Sequence, residues 1–152
     1  MPPTPPDPLA TPAQGRADMA TWCGSSRSNY FTVKDTGAFR VWADQLGIDV
    51  WEGDGLGLSG RFAIAVVDGS GWPSTRYSHD GDDVDVDLTA ELATHLVDGA
   101  VAIIMETGAE KLRYLTGWAQ AINSRGETRT LNLEDIYEIA GPLGEDITAV
   151  SY

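Results

Sequence analysis

The run His79-Asp80-Gly81-Asp82-Asp83-Val84-Asp85-Val86-Asp87 gathers five aspartates, with no Lys or Arg between Arg76 and Lys111 to balance them. Carboxylates crowded this way repel one another, and a cation, a basic partner or solvation must compensate. A Ca²⁺ loop is the sharpest chemistry to test. Placing Asp80 at the first position of an EF-hand loop puts Asp82 third and Glu91 twelfth, but Val84 falls fifth and Asp85 where the turn needs glycine. Starting at Asp83 restores the rhythm Asp83, Asp85, Asp87 but sets Leu88 at the glycine position. No metal is therefore expected. A structural account fits the same residues: in an extended segment Asp83, Asp85 and Asp87 turn outward while Val84 and Val86 turn inward. Outward charge of this kind guards a sheet edge, and Asp87 stands where a helix N-terminus favours negative charge.

Trp72 and Tyr77 precede the run on the same polar loop. Aromatics in such a place either fold back onto the core or serve as interface anchors. A second group is Glu106, Glu110, Lys111, Arg113 and Tyr114, where paired carboxylates beside an arginine could perform acid–base work if one were desolvated. Without proximity in space this is only inventory, and surface ion pairing is the favoured account. Gly55-Leu56-Gly57-Leu58-Ser59-Gly60 matches the dinucleotide string GxGxxG, but the residues after it are strand-like and a hairpin loop is expected. His79 and His95 fit no metal or catalytic spacing, and His95 follows Glu91 by one helical turn, as a surface pair would. No cofactor is expected.

Composition narrows the classes. The chain has 152 residues, 42% hydrophobic and 22% charged, which suits one ordinary domain. Cys23 is the only cysteine, so no intramolecular disulfide can form. The formal net charge is −13, which argues against direct nucleic-acid binding, since that works by neutralising phosphates with Lys and Arg. No apolar run approaches the length of a bilayer span, and the N-terminus lacks the basic-then-apolar layout of a signal peptide. No membrane association and a cytoplasmic location are expected.

These residues need a scaffold to hold them. Residues 1–25, rich in proline, read as a disordered tail, and 26–152 as a single α+β domain. Asn29 to Val33 reads as a strand. Asp35 or Thr36 caps a helix whose stripe is Phe39, Trp42, Ala43 and Leu46, ended by Gly47. Ile48 to Glu52 and Arg61 to Val67 form an antiparallel pair. Asp68 to Asp87 is a long connection without an obvious helix or buried strand. Asp87 caps a second helix with Leu88, Leu92 and Leu96 inward. Val101 to Met105, Leu112 to Asn123 and Glu127 to Leu131 read as strands, the last two around the turn Asn123-Ser124-Arg125-Gly126. Asn132 is expected to cap a third helix with Leu133, Ile136, Tyr137 and Ala140 as its stripe, and Ile147 to Tyr152 to return as a strand. The expected fold is α+β: a mainly antiparallel sheet with about three helices packed on one face.

Ser26-Arg27-Ser28-Asn29-Tyr30-Phe31 with Lys34-Asp35, and Gly108-Ala109-Glu110-Lys111-Leu112-Arg113-Tyr114-Leu115-Thr116-Gly117, resemble stretches in small uncharacterised proteins of phages, plasmids and other mobile elements. The resemblance spans Ser26 to Ala140 and brings no catalytic residues with it. It implies an accessory role, for which acidic proteins that block nucleic-acid-binding defence machinery are a known strategy. The leading expectation is a non-enzymatic protein that binds a macromolecular partner with a basic surface, acting by nucleic-acid mimicry. Asp80, Asp82, Asp83, Asp85 and Asp87 would supply the charge, and Trp72 or Tyr77 the anchor. The alternative is a small enzyme or small-molecule-binding domain using Glu106, Glu110, Arg113 and Tyr114. A structural or assembly subunit is a third, which an exposed apolar sheet edge would reveal.

Overall fold

The computed structural model describes residues 22–78, 81–110 and 114–150. Asp35 opens helix α1 (Thr36–Gln45) by accepting the Ala38 amide at 3.0 Å, an N-cap that satisfies a donor the helix cannot. The stripe Phe39, Trp42, Ala43 and Leu46 is buried as its spacing requires. The antiparallel pair follows as β2 (Asp49–Glu52) and β3 (Phe62–Val66). The GxGxxG string is the loop between them, containing a 3₁₀ turn at Asp54–Leu56. Two glycines of the β2–β3 connection have a backbone reason. A Cβ at Gly53 would stand 2.5 Å from the Leu58 carbonyl oxygen, and Gly57 sits at φ 74°.

The sheet has six strands in the order β2-β3-β1-β6-β7-β8, all antiparallel. Besides β2 and β3 these are β1 (Trp22–Ser28), β6 (Val101–Glu110), β7 (Tyr114–Asn123) and β8 (Thr128–Asn132). The central strand β1 was not expected: Trp22–Ser25 were assigned to the tail, whose remaining residues 1–21 lie outside the described residues. Asn29 to Val33 is not a strand. Phe31 and Val33 are buried and make only isolated bridges, to Phe62 and Leu96, as the chain crosses from the sheet to the helices. There is no final strand at 147–150.

Helix α2 (Leu88–His95) is capped by Asp87, which accepts from the Ala90 amide at 3.2 Å, and it buries Leu88 and Leu92, with Leu96 just beyond. Helices α1 and α2 cover Ile64, Ala102, Ile104 and Ile122 on one face of the sheet. Helix α3 (Asp135–Ile139) departs from expectation. Asn132 does not cap it; instead the Asn132 amide donates to the Asp135 carboxylate at 2.7 Å. None of its residues is buried, and Leu133 and Ile136 remain 55% and 56% exposed. Among the described residues no helix is long and apolar enough to cross a membrane.

Candidate functional site

The long connection between β3 and α2 contains a two-stranded sheet of its own, β4 (Thr75–Tyr77) and β5 (Asp83–Asp85). Its register sets Tyr77 across from Asp83, Arg76 from Val84, and Thr75 from Asp85. Cross-strand partners share a face, so Tyr77, Asp83, Thr75 and Asp85 form the outer one. Tyr77 is 78% exposed, and Asp82, Asp83 and Asp85 are exposed beside it. Among the described residues none of these three aspartates has an ion-pair partner.

The inner face explains why the hairpin holds its place. Arg76 pairs with Glu91 of α2, whose carboxylate also accepts the Trp42 indole N–H at 3.0 Å. Val86 is buried, whereas Val84 lies on this inner face across from Arg76 but is 48% exposed, so only one of the two valines is covered. Short hairpins are marginal alone, and two anchors fix this one to the body. Arg76 is one. The other is Trp72, which is half-buried against the core, donates its backbone N–H to Glu106 at 2.8 Å and donates its indole N–H to the Met105 carbonyl at 3.1 Å.

Of the expected partner-binding residues, the structure brings Tyr77 together with Asp83 and Asp85 and leaves Asp82 in the adjoining turn. Trp72 lies apart as an anchor. Asp87 is engaged as the α2 cap, and the Ala90 amide followed by the Thr89 hydroxyl holds its carboxyl below the usual range. Asp80 and His79 lie outside the described residues. Among the described residues no group of three or more His, Cys, Asp or Glu is placed to hold a metal ion.

In the second group Glu106 and Glu110 stand apart. Glu106 accepts from Ser26 Oγ at 3.0 Å, Trp72 N at 2.8 Å and Trp118 Nε1 at 3.0 Å, so both oxygens are committed. Glu110 lies four residues along the same strand, roughly 13 Å away at strand rise. Tyr114 is the register partner of Glu110, and Lys111 and Arg113 lie outside the described residues. An open depression of about 500 Å³ between α2 and the β7–β8 turn is lined by residues including Thr94, Ser124 and Arg125, but by neither glutamate.

His95 is not the surface partner of Glu91. Its ring packs on Trp42 at 5.0 Å and on Phe39 at 5.8 Å. Burial pulls its pKa below the usual value, against the opposing pull of Glu91 and Asp35. The unfolded chain therefore takes up a proton more readily than the folded one. The resulting stability is complete above about pH 6.5 and declines as pH falls below it. Urea midpoints between about pH 7.5 and 5.5 should fall more in the wild type than in His95→Gln; parallel pH curves would contradict this.

The fold and surface define an acidic α+β domain that presents a tethered, aromatic-and-carboxylate hairpin. No known protein family, curated protein or solved structure matches the chain.

Proposed function

We propose that this protein is a non-enzymatic interaction protein that binds a basic macromolecular partner through the outer face of hairpin β4–β5. The observation that carries this reading is Tyr77, exposed and directly across from Asp83. Exposed carboxylates alone steer a partner but contribute little net affinity, whereas an aromatic among them can supply a desolvated anchor. The net charge of −13 fits a partner that handles nucleic acid, with the protein imitating the polyanion. A mobile-element inhibitor of host defence is the biological form of that reading.

The test compares baits in pull-downs from the native host. One bait is wild type, one carries asparagine at Asp80, Asp82, Asp83, Asp85 and Asp87, and one is Tyr77→Ala. Asparagine still caps a helix, so the multiple variant keeps α2. The partner held by wild type should be lost by the asparagine variant, bind about tenfold more weakly to Tyr77→Ala, and elute as salt shortens screening below about 10 Å. Duplex DNA should compete for it. Equal retention by the asparagine variant would sink the proposal, and failure of DNA to compete would remove the mimicry.

A further inference from the structure

The face of the sheet opposite the helices is open. Its register aligns Ala65, Arg27, Met105, Ala119 and Leu131 in one row across β3, β1, β6, β7 and β8; Ala65 is itself buried, and the open part runs from Arg27 to Leu131. Ile103 and Ala121 continue the apolar surface in the next row, with Val101 beyond. Met105, Leu131 and Val101 are 51%, 55% and 47% exposed. Monomeric proteins rarely leave so continuous an apolar area bare, and such an area marks an interface.

Its charge is as unusual as its polarity. Carboxylates outnumber basic residues by 23 to 10 in the chain, yet among the described residues they reach this face only at its margins, as Asp49 and Glu127. At its centre Arg27 stacks on Trp51, its guanidinium carbon 4.5 Å from the ring centroid, with no carboxylate partner among the described residues. The complement is elsewhere on the chain. Residues 133–150 contain Glu134, Asp135, Glu138, Glu145 and Asp146 and no Lys or Arg. Within that segment Ile136, Ile139, Leu143 and Val150 are 56%, 62%, 90% and 59% exposed. An apolar surface centred on an arginine and an apolar segment lined with carboxylates fit each other.

We propose that a second copy of the chain covers this face, the sheet and C-terminal segment of each copy meeting the C-terminal segment and sheet of the other. A two-fold axis repeats the contact twice and closes the assembly. The arrangement also limits charge repulsion. Hairpin β4–β5 is fastened to the helix-covered side through Trp72 and Arg76, so pairing the open faces keeps the two acidic hairpins apart.

Sedimentation equilibrium of the full chain at about 100 μM tests this, since any Kd well below that leaves the protein paired. The expected mass is twice the 16.3 kDa of the chain. Met105→Glu on the sheet and Leu143→Glu on the C-terminal segment should each weaken pairing at least about tenfold. Both positions are exposed, so at a chain concentration low enough to dissociate the wild type the variants should share its urea midpoint. A monomeric wild type overturns the proposal, whether the face is bare or covered by residues 1–21. So does a dimer that survives either substitution, or an open series of larger assemblies.

Discussion

Phe39→Ala is expected to destabilise the protein by about 3–5 kcal/mol, the cost of deleting a fully enclosed aromatic ring. Phe39 has no exposed surface, and its ring stands 5.8–5.9 Å from those of Phe31, Trp42, Phe62 and His95. Those neighbours come from α1, α2, β3 and the crossing segment before α1, so a cavity there loosens helices and sheet together. Domains are stable by only about 5–15 kcal/mol, which makes this a large share of the total. The urea midpoint should fall steeply. Val41→Ala, two residues away but 58% exposed, should move stability by no more than about 0.5 kcal/mol. Equal shifts in the two variants would show that the core is centred elsewhere.

The elements around Phe39 were legible because each carries a local signal. The α1 stripe, the Asp35 and Asp87 caps and the β2–β3 hairpin all follow from spacing and turn chemistry. Strand β1 has no such signal. Its sequence is Trp-Cys-Gly-Ser-Ser-Arg-Ser, and it is a strand because β3 and β6 flank it. Its inward residues are polar and satisfied by tertiary partners: Ser26 Oγ donates to Glu106, and Ser28 Oγ accepts the Ile64 amide at 2.8 Å. Hydrophobic periodicity cannot find such a strand. Helix α3 fails in the opposite way. Leu133, Ile136, Tyr137 and Ala140 have core spacing, but the described residues leave Leu133 and Ile136 exposed and cover Tyr137 and Ala140 only in part. At the candidate site the alternation of Asp and Val pointed to a strand, whereas the pairing of Asp83 with Tyr77 depended on a turn that composition does not specify. Glu106 gave no sign of its role, because its donors lie 80, 34 and 12 residues away in sequence.

Glu106→Ala is accordingly expected to destabilise the protein by about 2–4 kcal/mol, although it removes a carboxylate from an overcharged chain. Two effects oppose each other. Relief of general repulsion is worth at most a few tenths of a kcal/mol for a charge screened by solvent, about the size of a weak surface pair. Against it, the Ser26 hydroxyl, the Trp72 amide and the Trp118 indole lose their shared acceptor, and Ser26 is 1% exposed, out of reach of water. A partly buried donor left unpaired costs about 1–3 kcal/mol, so the loss of acceptors decides the sign. Glu106→Gln should fall between, at about 1–2 kcal/mol. Its single carbonyl oxygen can serve Trp72 or Trp118, and its amide group then faces a donor. The loss should also be local. Trp72 is one of the hairpin's two tethers, so its amide should exchange faster with solvent in Glu106→Ala, and the Tyr77–Asp83 face should bind its partner more weakly although no residue on it has changed. A catalytic Glu106 would behave differently: the glutamine variant would keep its urea midpoint and lose only turnover. An unchanged midpoint and unchanged Trp72 exchange in Glu106→Ala would refute the tethering role.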